Sequence, residues 1–358
     1  DIEAIVNNAK VNIRDQHVYV DYLKDEIRDI AKVEACKTRL FSASPLRLLI
    51  AYRMYFGAYQ QWFQINRVDN QSTIGLNVYS NEWHILATRL LSKAPIGSKN
   101  IGAGDYKGFD GSENPSIHWE ILDIINSFYD DGKENARVRK VLWYELVNSL
   151  HYFNGRIVEW TSSLPSGHPM TAIVNNMYNG IAFRFCWYDI FDNTPYEDKF
   201  EDKVYLATMG DDNVFSVALD AKDKFNESTI ASSMKLLGLH YTKEDKTTPD
   251  ATLRNITEVE FLKRQWRYDQ SLKRYVAPLR LNRLLETINW TKKGPFAIDI
   301  PRDNVDTILM ELSLHEKSIF DYWSDKLIRV SREHLDYYPP VTQRSALLRK
   351  CAEMQLNY

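Results

Sequence analysis

Short runs of apolar and β-branched residues, broken by turns of charged or small residues, predict three hairpins. The paired runs are residues 17–23 and 33–41, residues 205–209 and 213–217, and residues 259–266 and 274–276. Residues 24–32 form the charged turn of the first hairpin, and Gly210, Asp211 and Asp212 form the turn of the second. Glycine adopts positive φ without steric cost, so Gly210 suits a tight turn.

Apolar residues spaced three and four positions apart predict helices over much of the remaining chain. The pattern begins at Pro45 and recurs after Ser112, the predicted N-cap of a helix with Pro115 in its first turn. Further helices are predicted at 140–148, 169–187 and 223–237. From Leu279 onward the pattern is mostly helical apart from a loop at 295–301, which indicates a separate helical subdomain in the C-terminal third.

The composition is that of a folded protein and excludes several classes. Among 358 residues, 44% are apolar and 26% are charged, and no apolar run approaches the length that spans a bilayer. The net charge of −3 means that a nucleic-acid site must come from local basic clusters. Three widely spaced cysteines indicate neither a zinc site nor a disulfide framework, and favour a reducing cytoplasm. Because the chain begins at Asp1 without Met, we expect a piece of a longer protein or a processed product.

Four aspartates in two regions are the strongest candidates for chemistry. Asp211 and Asp212 share a turn, where two ionised carboxylates repel each other and usually need a cation. Asp105 follows a segment of small residues, and Asp110 lies five positions later. Carboxylates converging from separate elements would hold two divalent ions, and their oxygens suit Mg²⁺ or Mn²⁺. The alternatives are a solvent-exposed Asp-rich turn, a solvated loop position for Asp105 and a helix-capping role for Asp110.

Residues 164–176 predict a loop that leads into a helix. Thr171 and Asn175 are four positions apart, so both side chains project from one helix face and suit a common target such as a sugar hydroxyl. The Ser166–Gly167–His168 sequence lacks the G-x-S-x-G pattern of a hydrolase nucleophile, and we interpret His168 as a loop residue.

Taken in their order along the chain, several segments resemble the motifs of a viral RNA-dependent RNA polymerase of the picornavirus-like superfamily, nearest to dicistroviruses and other insect picorna-like viruses. Residues 22–44 resemble the family's basic nucleotide-binding motif, 105–112 motif A, 165–175 motif B, 209–213 the Gly-Asp-Asp motif, 242–246 motif D and 261–264 motif E. Met209 replaces the Tyr that is common in the family. The resemblance covers residues 17 to 266, and the helical remainder matches a thumb only loosely.

The resemblance implies an α+β right-hand fold, in which an antiparallel palm sheet is flanked by helices. The implied divisions are fingers at 1–95 with their N-terminal part missing, palm at 96–112, fingers and palm helices at 113–160, palm at 161–266, and thumb at 267–358.

The resemblance also implies a role for each matching side chain. Asp105 and Asp211 would be the main ligands of two Mg²⁺ or Mn²⁺ ions, with Asp212 assisting, and Lys246 would protonate departing pyrophosphate. The incoming nucleotide would be contacted at its triphosphate by Lys24, Arg28, Lys32, Lys37 and Arg39. Its ribose 2′-hydroxyl would be contacted by Asp110, Ser166, Thr171 and Asn175, and Gly167 would also belong to the nucleotide site. Lys263 and Arg264 would hold the RNA primer by its backbone. From residues alone, a salt-bridged surface is an equal alternative for 24–39, since acidic residues alternate with the basic ones.

We therefore expect template-directed RNA synthesis from NTPs during replication of a positive-strand RNA virus genome. Expected partners are the RNA template and primer, a genome-linked protein primer and other viral replication proteins. The expected location is the host cytoplasm, at membrane-associated replication complexes, after processing of a viral polyprotein. Two alternatives remain open: a polymerase that makes DNA by the same chemistry, and an RNA-binding module that has lost catalysis.

Overall fold

The computed structural model describes residues 2–192, 199–291 and 299–353. The helices are α1 (Ile2–Lys10), α2 (Ile30–Glu34), α3 (Leu46–Ile65), α4 (Glu82–Leu90), α5 (Pro115–Phe128), α6 (Gly132–Val147), α7 (Thr171–Phe191), α8 (Phe200–Lys203), α9 (Glu227–Met234), α10 (Leu281–Glu286), α11 (Asp299–Leu312), α12 (Lys317–Leu335) and α13 (Arg344–Glu353). The strands are β1 (Val18–Leu23), β2 (Leu40–Ala43), β3 (Ile101–Tyr106), β4 (Ser149–Phe153), β5 (Arg156–Trp160), β6 (Val204–Met209), β7 (Asp212–Val217), β8 (Tyr241–Lys243), β9 (Arg267–Asp269) and β10 (Arg274–Val276). No helix within these ranges combines the length and apolar character needed to cross a membrane.

A four-stranded antiparallel sheet, in the order β6-β7-β3-β8, contains the second predicted hairpin. Strands β6 and β7 pair as far as Met209 and Asp212, which confirms the predicted pair of strands. The turn is shorter than predicted, because Asp212 already belongs to β7 and only Gly210 and Asp211 connect the strands.

Strand β3 forms despite weak β propensity, because its glycines allow other side chains to approach the backbone. Every residue of β3 is buried. A Cβ atom at Gly102 would lie 2.3 Å from the Phe215 ring, and one at Gly104 would lie 2.0 Å from the Tyr241 hydroxyl. Tertiary packing, rather than local propensity, therefore places this strand between β7 and β8.

A second sheet has the strand order β2-β1-β4-β5. Strands β1 and β2 precede β3 in the sequence, and strands β4 and β5 follow it. Strands β1 and β2 are antiparallel, which confirms the first predicted hairpin. The predicted second run at 33–41 is wrong in its bounds, since the strand is Leu40–Ala43 and the connection contains α2. Strands β4 and β5 form an antiparallel hairpin that the hydrophobic pattern did not predict, and β4 adds in parallel to β1.

The third predicted hairpin is confirmed only in part. Strands β9 and β10 are antiparallel, and the connection runs from 270 to 273. Residues 259–266 do not form its first strand; instead Phe261 and Arg264 pair with each other across a turn of two residues.

Helices α3, α5 and α7 lie where the apolar spacing predicts them, with differences at the ends of others. The N-cap of α5 is Asn114, whose side chain accepts a hydrogen bond from the Ser116 amide at 2.9 Å. The predicted cap, Ser112, instead donates to the carbonyl of Gly108 at 3.1 Å. Helix α6 is longer than predicted and α9 is shorter. Of the predicted loop at 295–301, positions 295–298 lie outside the described residues, and α11 begins at Asp299.

Helix α7 packs against the central sheet and against α5 and α9. It buries apolar residues along most of its length, including Ile173, Tyr178, Phe183 and Trp187. Three asparagines of the same helix are also buried, and they point toward the end of the sheet where the aspartates lie. Helices α10 to α13 bury an apolar cluster of their own, around Ile308, Leu309 and Leu312.

Candidate active site

The strand register brings the three predicted metal-binding aspartates to one end of the central sheet. Gly104 of β3 pairs with Asn213 of β7, so the next residue of β3, Asp105, lies opposite Asp212. Asp211 lies in the adjoining turn, where Gly210 has a φ of 65°. Residues separated by more than a hundred positions therefore meet because β3 inserts beside the hairpin.

The electrostatics of this cluster favour a bound cation. Burial, together with the charges of Asp105 and Asp212, raises the pKa of Asp211 to about 6. Burial and Asp105 also raise the pKa of Asp212, while Lys263 and Lys246 oppose the rise. Partly buried carboxylates that repel one another are a donor set that suits a hard divalent ion.

The side chains of the aspartates are nevertheless not arranged to bind a metal ion together. Across residues 2–192, 199–291 and 299–353, no group of three or more His, Cys, Asp or Glu side chains is arranged to hold a metal ion. The Asp105 carboxylate forms an ion pair with the Lys246 ammonium and accepts a hydrogen bond from the Tyr106 amide at 2.6 Å. Lys246 reaches Asp105 because it follows β8, which pairs directly with β3. The residues thus fit divalent ions by charge and placement, with Lys246 supplying the positive charge at Asp105.

Two asparagines that the sequence analysis missed hold the backbone of the hairpin turn. Asn176 of α7 accepts a hydrogen bond from the Gly210 amide and donates to the Thr208 carbonyl at 3.1 Å. Asn179, one turn later, donates to the carbonyls of Gly210 at 3.0 Å and Asp211 at 3.3 Å. The only hint in the sequence is the presence of amides at spacings that place them on the buried face of an apolar helix.

The neighbouring residue of α7 contacts the fourth aspartate. Asn175 Nδ2 donates to Asp110 Oδ1 at 2.8 Å. Burial raises the pKa of Asp110, whereas the hydrogen bond from Asn175 and the charges of Lys24 and Arg39 lower it. The structure therefore joins Asp110 and Asn175, two of the residues predicted to contact the ribose, and Lys24 and Arg39 lie near enough for their charges to act on Asp110. Thr171 does not share this target, because its hydroxyl donates to the Pro165 carbonyl at 2.7 Å.

The loop before α7 rests on the edge strand β2. The Ser42 amide donates to the Ser166 carbonyl at 2.6 Å. Gly167 has a φ of 118°, and a Cβ atom there would lie 2.6 Å from the Ser42 carbonyl oxygen, so only glycine fits this contact. His168 is a loop residue, as expected, but it is buried against Tyr52 with ring centres 4.2 Å apart.

The remaining basic residues of the first hairpin pair partly with acidic neighbours. Arg28 lies 3.1 Å from Glu26, Arg39 lies 3.6 Å from the same carboxylate, and Lys32 lies 2.9 Å from Asp29. Lys32 and Lys37 are exposed on the surface. Three of the five basic residues predicted to contact the triphosphate, Arg28, Lys32 and Arg39, thus form ion pairs within the segment, and both interpretations of the segment stay open.

The two predicted primer contacts differ in position. Lys263 lies close enough to Asp212 to lower its pKa, and it occupies a turn with a φ of 63°. The role of Arg264 as a primer contact stays a prediction; in the structure its guanidinium is engaged with the carboxylate of Glu311 in α11 at 2.7 and 2.9 Å. Its planar group also donates to the Ala277 carbonyl at 2.7 Å and lies over the Tyr79 ring. Arg264 therefore joins the turn at 261–264 to helix α11.

Comparison with known proteins agrees with this geometry. The family model described as viral RNA-dependent RNA polymerase matches residues 2–331. The replicase polyprotein of Drosophila C virus is 35% identical over 337 residues, which cover 90% of this chain and 19% of the polyprotein. That of acute bee paralysis virus is 36% identical over 333 residues, covering 90% of this chain and 17% of the polyprotein. The chain thus spans less than a fifth of the length of these relatives.

A solved structure supports the fold. The sicinivirus 3Dpol RNA-dependent RNA polymerase superimposes with a TM-score of 0.79 at 20% identity, covering 97% of this chain and 70% of that one. The α+β right-hand fold implied by the sequence is therefore confirmed, as is the resemblance to dicistrovirus replicases. The chain belongs to the viral RNA-dependent RNA polymerase family.

Proposed function

We propose that the chain is the catalytic domain of a replicase and extends an RNA primer by template-directed addition of NTPs, with release of pyrophosphate. The observation that carries the proposal is the meeting of Asp105, Asp211 and Asp212 at one end of the sheet, beside the Asp110–Asn175 pair. Family membership at this level of identity supports the same activity.

Each residue has a distinct role in this proposal. Asp105 and Asp211 would hold Mg²⁺ or Mn²⁺, and Asp212 would assist. The chemistry that two such ions supply is activation of the primer 3′-hydroxyl and neutralisation of the triphosphate. Lys246, whose side chain pairs with Asp105, would donate a proton from Nζ to the departing pyrophosphate.

Nucleotide selection falls to the residues around Asp110. Asn175 orients the Asp110 carboxylate, which accepts a hydrogen bond from a ribose 2′-hydroxyl. Lys24 and Arg39, whose charges act on Asp110, contact the triphosphate. Arg28, Lys32 and Lys37 add positive charge to the segment that contacts the triphosphate. The loop before α7 is shaped by Ser166, Gly167 and Thr171. Lys263 holds the primer. A polymerase that makes DNA is disfavoured, because dNTPs lack the 2′-hydroxyl that the Asp110–Asn175 pair is proposed to bind.

The domain divisions and the biological setting are proposals of the same kind. We assign fingers to 1–95, palm to 96–112 and 161–266, mixed helices to 113–160 and thumb to 267–358. The relatives are replicase polyproteins, which supports release by processing and association with other viral replication proteins. We further propose priming by a genome-linked protein, at membrane-associated complexes in the host cytoplasm.

Primer extension with purified chain tests the proposal. The wild type should extend an annealed RNA primer with Mg²⁺ or Mn²⁺ and should prefer NTPs to dNTPs. Asp211→Asn should lower incorporation by about a thousandfold without loss of the fold, because it removes a ligand without changing volume. Asp220→Asn is the matched control, since Asp220 pairs with Lys203 at the surface. A folded wild-type chain that extends no primer with either metal would contradict the proposal.

A further inference from the structure

A buried chain of polar side chains lies outside the site described above, between strands β1, β2 and β4. Asp21 and Ser42 are register partners, and the Ser42 hydroxyl donates to Asp21 Oδ1 at 2.6 Å. His151 Nδ1 lies 2.8 Å from the same carboxylate oxygen, and its Nε2 lies 2.8 Å from the Ser149 hydroxyl. With Nδ1 protonated, Ser149 donates to His151, and His151 and Ser42 both donate to Asp21.

The Ser149–His151–Asp21 order has the form of a catalytic triad, but a substrate cannot reach it. Ser149 and His151 are both 0% exposed, and the Asp21 side chain is 1% exposed. The imidazole is also stacked, with ring centres 3.7 Å from Trp160 and 5.3 Å from Tyr19. A ring held this firmly on both faces fixes the orientation of Asp21, and through Asp21 that of Ser42.

Ser42 connects this network to the nucleotide site. Its amide donates to the Ser166 carbonyl at 2.6 Å, and its carbonyl oxygen lies against Gly167, as described above. The same hairpin brings Lys24 beside Arg39 through a backbone hydrogen bond of 2.9 Å. Ser42 thus contacts the loop that precedes α7, and it lies on the strand pair that carries Lys24 and Arg39, whose charges act on Asp110.

The hydrogen bonds of Asp21 indicate that the network orients its side chains more than it stabilises the sheet. Within the described ranges, its hydrogen-bond partners are the Ser42 hydroxyl and the His151 imidazole. A buried carboxylate is costly to desolvate, and a well-packed apolar pair on neighbouring strands would stabilise the sheet at least as well. An apolar pair would lack the directional hydrogen bond between Ser42 and Asp21, which fixes one rotamer of Ser42 and the position of strand β2 relative to β1.

We infer that Ser42, oriented by Asp21 and His151, is a positioning residue that holds residues 166–167 in the position required for nucleotide selection. The inference rests on the proposed function, since selection has meaning only if the chain incorporates nucleotides. It predicts that loss of the Ser42 hydroxyl acts on nucleotide affinity and sugar discrimination rather than on the chemical step.

Steady-state incorporation and hydrogen exchange test the inference together. Ser42→Ala should raise the KM for NTP about tenfold and lower NTP-over-dNTP discrimination, with kcat and RNA affinity within about twofold of wild type. Ser42→Thr keeps the hydroxyl and should restore both. Independently of activity, Ser42→Ala should speed amide exchange in peptides covering residues 42 and 164–168, because the loop contact loosens.

Ser331→Ala is the matched control, because it also removes a buried hydroxyl, one that donates to the Tyr337 carbonyl at 2.8 Å in the C-terminal helices. It should lower stability without changing the KM, the discrimination or the exchange of the loop. If Ser42→Ala behaves like Ser331→Ala beside an active wild type, the network supports only the fold and the inference fails. Absence of incorporation by the wild type itself would instead contradict the proposed function.

Discussion

Asn179, one of the two asparagines that hold the turn at Gly210 and Asp211, offers the most direct test of how the fold places Asp211. Asn179 is fully buried, donates to the carbonyls of Gly210 and Asp211, and accepts a hydrogen bond from the Tyr106 hydroxyl at 2.9 Å. Asn179→Asp keeps the size and the acceptor for Tyr106. It replaces the donating amide with a carboxyl oxygen that faces two carbonyl oxygens.

The magnitude follows from the bonds that are lost. Two hydrogen bonds at about 0.5–1.5 kcal/mol each, together with the repulsion that replaces them, give a loss of roughly 2–4 kcal/mol in the free energy of unfolding. The effect on activity should be larger than stability explains. A turn displaced by about 1 Å moves Asp211 relative to Asp105, which is the kind of misplacement that lowers rates about a hundredfold.

Primer extension at a temperature where both proteins remain folded, checked by circular dichroism, measures the loss of activity. Urea unfolding measures the loss of stability. Asn255→Asp is the control, because Asn255 caps a short helical turn by accepting from the Thr257 amide, a role that Asp performs equally well. Normal incorporation by Asn179→Asp, accompanied by reduced stability, would refute the reasoning and leave Asn179 a purely structural residue.

Two further predictions concern residues whose roles the structure redefines. Arg264→Gln removes both the charge and the two-pronged contact with Glu311, so we expect a loss of roughly 3–5 kcal/mol in urea unfolding with an unchanged salt dependence of RNA binding; unchanged stability with a weaker salt dependence would identify Arg264 as a primer contact. Burial lowers the pKa of His168 from its ordinary 6.5 to about 3, so the unfolded chain binds the extra proton first and stability falls with pH below 6.5. His168→Asn keeps an acceptor for the Met170 amide, and between pH 6.5 and pH 5 it should lose about 1.5 kcal/mol less than the wild type; equal losses in the two proteins would show that His168 does not titrate as its burial requires.

The local sequence was sufficient for several features of the site. Alternating apolar runs around Gly210 and Asp211 specify a hairpin, because strand pairing and turn chemistry act over a few neighbouring residues. Helical spacing after Pro169 likewise placed Asn175 on α7, and the motif resemblance connected it to Asp110, where the structure shows a hydrogen bond.

Other features depend on residues that meet only in the folded chain. Propensity argued against β3, yet close approach of Tyr241 to Gly104 makes it a buried strand. The resemblance of 261–264 to motif E implied a primer contact at Arg264 but gave no sign of its pairing with Glu311, 47 positions away.

By itself, then, the sequence determined the hairpin at 205–217, several of the helices, the candidate carboxylates and the family, since these depend on local spacing and short motifs. The tertiary structure decided which carboxylates face each other, which amides hold their turn, and which charges remain available to a ligand. Those outcomes depend on hydrogen bonds and burial between residues far apart in sequence, and such contacts leave no periodic trace along the chain.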